Sequence, residues 1–316
     1  MRNIINLVRN ENMKLSHSIS TWIMIGILVI ITVAFGFLFK FVGNEAPKSE
    51  WKADIKIQNQ EIKKEIANPQ MSRTVKDRYE KDLQTNEYRL KHDIQPVQDK
   101  SVLGFVDGAS SIIFLISLFA IIMGGGIVAN EFSGGTIKLL LIRPSKRWKI
   151  LLSKYISVLG YTLFMLLVLL VVSFLIGGIL FTFKGAGTPF LTNVSGKIIE
   201  VNMITHIVEG YGLQCISLVM MVTLAFMISS VFRNSAMAIG IGVFLLTVGN
   251  MVTMQLARFN WSKYILFANT NLNQYIDGQP LVKGMTMTFS ITVLIAYFII
   301  FNVIAYVAFS KRDIVA

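Results

Sequence analysis

Residues 130–154 gather the side chains of this chain best suited to chemistry, namely Glu131, Gly134, Gly135, Thr136, Lys138, Pro144 and Arg147, running on through Lys149 to Lys154. One carboxylate, a glycine pair, a proline and six basic residues between two long apolar stretches suit recognition of another protein rather than bond making. Thr136 to Ile142 offers a short apolar helix face, Gly134-Gly135 gives the backbone a hinge, and Pro144 ends the helix. Such an element can insert into a groove on a cytoplasmic partner and pass its motion to both neighbouring spans. Arg143, Lys146, Arg147 and Lys149 also serve as membrane anchors.

Other chemistry is poorly supported, and no catalytic residue or metal site is expected. The chain has no G-x-x-x-x-G-K-[ST] phosphate loop, and Ser195-Gly196-Lys197 lacks its spacing, so ATP hydrolysis belongs on another chain. His17, His92 and His206 are scattered, no H-E-x-x-H occurs, and Cys215 is the single cysteine. The middle of every apolar run lacks Asp, Glu, Lys and Arg, which disfavours coupling to an ion gradient. Gln214, Asn250, Gln255 and Asn302 are polar residues inside apolar runs; they serve either helix-to-helix hydrogen bonding or a substrate path. Ala236/Gly240 and Ala238/Gly242 have the small-xxx-small spacing of a tight helix contact.

The elements that hold these residues follow from hydropathy. Of 316 residues, 53% are hydrophobic and 15% charged, and charge-free runs occur at 15–39, 108–130, 155–183, 210–232, 234–257 and 284–310. Each exceeds the roughly 20 residues an α-helix needs to cross about 30 Å of hydrocarbon. Their continuous apolar character excludes a barrel, and the fold class is an all-α integral membrane protein. The expected division is an interfacial helix at 1–19, spans at 20–42, 105–129, 155–183, 210–232, 234–257 and 285–310, and a tail at 311–316. A helical hairpin fills 43–104, broken at Asn68-Pro69, with Trp51, Ile55, Ile62 and Ile66 on one helix face and Met71, Val75, Tyr79, Leu83, Leu90 and Ile94 on the other. Segments 184–209 and 258–284 are expected to dip into the outer leaflet as short helices or re-entrant turns. In the amino-terminal helix Ile4, Ile5 and Val8 line one side, with Arg2, Asn6, Arg9 and Glu11 toward the other.

With six spans both termini share one side. The short polar segments there carry twelve basic against three acidic residues, so that side is cytoplasmic. The formal net charge of +12 is thereby a topology signal, and no nucleic-acid partner is expected. In a Cys215→Ala background, cysteines placed at Ser49 or Gln84 are expected to react with an impermeant thiol reagent from outside, and one at Ser145 is not. The opposite labelling pattern would invert the topology.

The loop resembles that of permease subunits of ABC-2 type ATP-binding-cassette transporters. Their loop between the second and third spans carries a glutamate, a glycine-threonine pair, a basic residue, a proline and an arginine before a lysine, matched here by Glu131, Gly135, Thr136, Lys138, Pro144, Arg147 and Lys154. The six spans, the interfacial helix, the turn Ser229 to Ser235 and the ending Lys311-Arg312-Asp313 extend the resemblance. Leu266 to Leu272, with Tyr275 and Gly278, looks like the external segment of a Gram-positive subgroup that includes antimicrobial-peptide exporters and immunity permeases. The resemblance implies a coupling helix docked on a separate ATPase, which holds ATP and Mg, and a working unit of two permeases and two ATPases in a bacterial cell membrane. The implied cargo is hydrophobic or amphiphilic. The alternative is a membrane sensor or scaffold whose external hairpin binds a ligand and whose cytoplasmic loop meets a signalling partner.

Overall fold

Apolar runs of this length satisfy their backbone polar groups only as helices when water is excluded, and the chain folds accordingly. The computed structural model describes residues 2–42, 51–68, 73–96, 100–134, 146–181, 183, 187–194, 197–232, 234–278 and 280–310. Among the described residues, six helices are long and apolar enough to cross a membrane: Ile19–Phe41, Val102–Glu131, Arg147–Leu180, Met203–Val231, Ser235–Leu256 and Met287–Ser310. They are numbered below as spans 1 to 6. Together with the apolar surface they expose, they make this an integral membrane protein.

Local chemistry starts the helices where the sequence changes character. The Ser101 hydroxyl accepts the Gly104 amide at the head of span 2, the Asn202 side chain accepts the Ile204 amide at span 4, and Asn234 accepts those of Ala236 and Met237 at span 5. Span 2 is not uniform: Val102–Gly108 and Ile113–Ser133 are α-helical, and Ala109–Ile112 forms a tighter 3-10 turn between them.

Spans 2 and 4 form the centre. Of their most apolar stretches, 67% and 56% of the residues are buried, against 17% to 28% for the other four spans. Glycines permit the close approach. A Cβ on Gly124 would lie 3.1 Å from Ala225 Cβ on span 4, and one on Gly125 would lie 3.2 Å from Ile239 Cγ1 on span 5. Where the chain leaves the bilayer on the side away from the termini, Phe35, Phe39, Phe105 and Phe181 from spans 1, 2 and the end of 3 form one aromatic cluster.

Span 3 departs from the sequence-based boundary. Its helix begins at Arg147, not at 155, and runs for 34 residues. At 1.5 Å per residue that is about 51 Å, well beyond a hydrocarbon core of about 30 Å. Two turns bearing Arg147, Lys149 and Lys154 thus project on the side of the termini.

On the opposite side, helices Trp51–Ile66 and Arg73–His92 pack together. Ile55 and Ile62 are buried as expected, and Asn86 Nδ2 donates to Asn59 Oδ1 at 2.9 Å. Val75 is exposed instead, and Met71 lies outside the described residues. Where short helices or turns were expected, Phe190–Val194 and Lys197–Val201 pair as an antiparallel two-stranded sheet, so the chain is not purely α-helical. The run Ile198, Ile199, Val201 is rich in β-branched residues, which favour this extended form over a helix. The segment after span 5 does hold short helices, Leu266–Thr270 and Asn273–Ile276. The helix pair is docked on both features: Tyr88 Oη donates to Glu200 Oε1 at 3.0 Å, Asn193 Nδ2 donates to Gln84 Oε1 at 3.0 Å, and Lys81 Nζ donates to the Gly278 carbonyl.

Candidate functional site

Three elements converge where span 2 ends and span 3 begins. Glu11 and Lys14 come from the amino-terminal helix Arg2–His17, Glu131 from the last turns of span 2, and Lys154 from the projecting start of span 3. Lys154 Nζ lies 3.0 Å from Glu11 Oε2 and 2.9 Å from Glu131 Oε1. Lys14 Nζ closes the group at 3.3 Å from Glu11 Oε1 and 3.5 Å from Glu131 Oε1. Two cations thus face two anions. The Lys154 side chain is only 3% exposed and those of Glu11 and Glu131 are 10% and 15%, whereas Lys14 is 57% exposed. Lys154 is therefore the inner cation, and Lys14 closes the solvent side.

Burial makes this group strict in its demands. A buried charge is tolerable only when paired and hydrogen-bonded, and each of the two acids here shares the same ammonium. The joint ties the amino-terminal helix and both ends of the 130–154 segment together. Further bonds extend it: Arg147 Nη1 donates to the Ser310 carbonyl, the last residue of span 6, at 3.0 Å, and Ser157 Oγ donates to the Val8 carbonyl at 3.4 Å. At the end of span 4, buried Ser229 Oγ accepts the backbone amides of both Val128 (3.2 Å) and Ala129 (3.0 Å). Ser229 thereby ties the end of span 4 to span 2 just after its run of three glycines.

The sequence-derived docking residues fare unequally. Glu131 is brought to this joint, Arg147 is exposed and bonded to the end of span 6, and Gly134 closes the last turn of span 2, its amide on the Asn130 carbonyl at 2.9 Å. Gly135, Thr136, Lys138 and Pro144 lie outside the described residues. Glu11 lies on the packed face of its helix, not on the polar face expected from its charge. It is 8% exposed, in register with the half-buried Ile4, Leu7, Val8 and Leu15, whereas Ile5 is 65% exposed. The spacing 4, 8, 11, 15 carries that signal, once a carboxylate is admitted to an apolar stripe.

The other polar candidates lie on spans 4, 5 and 6. Asn250 and Asn302 each donate to the carbonyl four residues earlier, at 2.8 Å, and they sit on different helices. Gln214 is half-buried on span 4, and Gln255 is exposed near the end of span 5. The small residues divide by face. Ala238 is fully buried and a Cβ on Gly242 would lie 2.6 Å from Ile121 Cγ2, so this pair packs within the chain against span 2. Ala236 is exposed and a Cβ on Gly240 would meet nothing within 4 Å.

At the far end of the core, His206 of span 4 stacks on Phe190 with ring centroids 3.7 Å apart, and its Nε2 is 3.6 Å from Asp107 Oδ1. Nearby Asp277 has its carboxyl pushed above the usual range by burial, with His206 opposing the shift and Asp107 adding to it. Among the described residues no group of three or more His, Cys, Asp or Glu is placed to hold a metal ion.

Comparison with known proteins places this architecture in a family. The protein YhcI of Bacillus subtilis (strain 168), described as uncharacterized, is 45% identical over 314 residues, 98% of this chain and 99% of the relative. YdbK of the same organism, described as an uncharacterized membrane protein, is 34% identical over 220 residues, 68% of this chain and 85% of the relative. A family model described as "Protein of unknown function (DUF2705)" matches residues 78–315, which include spans 2 to 6 and two of the three elements that meet Lys154 and Arg147. The chain belongs to the DUF2705 family.

Proposed function

We propose that this chain is the membrane-spanning permease subunit of an ABC-2 type transporter, driven by a separate ATP-binding-cassette ATPase that docks on the loop between spans 2 and 3. The observation that carries the reading is the buried joint of Glu11, Glu131 and Lys154. Spans 2 and 3, fixed to each other and to an amino-terminal helix where the loop joins them, answer a force as one body. Force applied to the loop by a partner is delivered to spans 2 and 3 together, and through Arg147 and Ser229 to spans 6 and 4. A flexible tether would dissipate the same force.

In this reading the side of the termini is cytoplasmic, the unit contains two permeases and two ATPases, and ATP and Mg reside on the ATPase. Two permeases follow from the need to complete a pathway that a single six-span chain only half encloses. The outward face of span 5, with Gly240 and Phe244, is the surface for the second copy; Phe244 is 59% exposed and a Cβ on Gly240 has open space around it. The cargo is a hydrophobic or amphiphilic compound, exported through spans that carry no charge at mid-depth.

Because Glu131 belongs to the buried joint and Arg147 is bonded to the end of span 6, their removal would confound docking with folding, and the loop itself is the place to test. Lys138→Pro breaks the expected docking helix without touching the joint. The full-length chain purified from its native membrane is expected to carry an ATP-binding-cassette ATPase in equal amount, with vanadate-sensitive ATP hydrolysis. The Lys138→Pro variant is expected to insert at wild-type levels and lose that ATPase. A wild-type chain that purifies without any ATPase, or a variant that retains it with full activity, would reduce the loop to a membrane anchor.

A further inference from the structure

On the side opposite the termini, a crevice of about 350 Å³ lies between the helix pair and the turn that leads into the sheet, lined by Trp51, Asp93, Ile94, Thr188 and Pro189 among others. That volume falls in the lower range of small-molecule sites. We propose that it binds a small organic cation, an ammonium or guanidinium group on an apolar stem.

The chain displays the chemistry itself. Lys52 Nζ lies 2.6 Å from Asp93 Oδ1 and 5.5 Å from the centroid of the Trp51 ring, so a carboxylate and an indole face jointly hold a cation. Lys52 is a tethered competitor for Asp93 that a ligand can displace. Its side chain is 52% exposed and that of Asp93 73%, and ion pairs so open to water contribute little. Ile94 and Pro189 supply apolar walls for the stem.

The backbone adds an independent observation. Asp93 has φ of 57°, the sole positive value at a non-glycine position among the described residues. It follows the helix Arg73–His92 as the residue that reverses the chain, with the Ile94 amide on the Arg89 carbonyl at 3.0 Å. Glycine is the unstrained choice at such a position, and asparagine is well tolerated. An aspartate there keeps a strained conformation and adds a charge that neither alternative would supply, at the rim of the crevice that Trp51 floors.

The test uses the full chain in detergent at low salt, with Trp22, Trp148 and Trp261 replaced by Phe so that Trp51 is the sole indole. Hexylguanidinium is titrated against Trp51 fluorescence, with neutral hexylurea as the shape-matched control. A saturable change is expected with hexylguanidinium and none with hexylurea. Asp93→Asn, which keeps the turn, is expected to weaken binding by about fivefold or more, and Lys52→Gln to strengthen it by about threefold as the tethered competitor is removed. Absence of saturation in the parent chain, equal binding after Asp93→Asn, an equal response to hexylurea, or no gain after Lys52→Gln would each overturn the site. The measurement needs no ATPase, so it stands or falls apart from the transport reading.

Discussion

Lys154→Ala is expected to destabilise the folded chain by about 3–5 kcal/mol, the cost of leaving buried charge without its partner. The reason is local. Lys154 is buried where Lys14 is open to solvent, and its loss takes from Glu11 and Glu131 the ammonium that both share. Against a total stability of about 5–15 kcal/mol for a typical domain, the loss is large enough to reduce accumulation in the membrane as well as the thermal midpoint in detergent. Lys14→Ala should cost less than about 1 kcal/mol because that side chain is already in water. A triple variant, Lys154→Met with Glu11→Gln and Glu131→Gln, should recover much of the loss, since removing a whole buried group is far milder than orphaning part of it. Thermal unfolding of the three purified variants checks the set. A Lys154→Ala protein as stable as wild type would mean that the joint does not exist in the membrane.

Gly242→Leu is the second change with a large expected effect, about 3 kcal/mol at the upper end of overpacking costs. The Cβ alone would lie 2.6 Å from Ile121 Cγ2, and Ile121 is fully buried and branched at Cβ, so it has no free end to swing aside. Spans 2 and 5 must separate, and Ala238, one turn earlier on the same face, loses its contact with them. Gly240→Leu on the same helix should do none of this. It meets nothing within 4 Å and replaces a poor helix former with a good one, so the isolated chain should be as stable or slightly more so. If Gly240→Leu nevertheless abolishes cross-linking between two copies in the purified complex, the fault lies at the subunit contact and not in the fold. Leu245 on the same helix packs against the core around Leu224 and Leu294. Copies that cross-link normally after Gly240→Leu would move the dimer contact to another face.

Much of the architecture is legible in the residues themselves. Six apolar runs longer than a bilayer is thick leave a chain no choice but to form helices, and the residues Asn202, Asn234 and Ser101 mark helix starts by the bonds their side chains can make. The buried face of the helix at 51–66 follows from spacing alone. The strand pair at 190–201 is harder to see, because alternation over five residues is a weak signal beside strongly apolar neighbours.

The site divides along the same line. That Glu131, Arg147 and Lys154 belong together is visible from their order along one short segment. That Lys154 is buried, that it is shared between Glu131 and a carboxylate 143 residues away in sequence, and that Ser229 takes the amides of Val128 and Ala129 were decided only by tertiary packing. Hydropathy counts a charge as exposed by default, since an isolated one is too costly to bury. Only the three-dimensional arrangement reveals when the opposite charge arrives from a distant helix to offset that cost. Periodicity likewise identifies small residues on span 5, but the face each one presents, Gly242 to Ile121 and Gly240 to open space, depends on how the helix is rotated against its neighbours, which no single helix encodes.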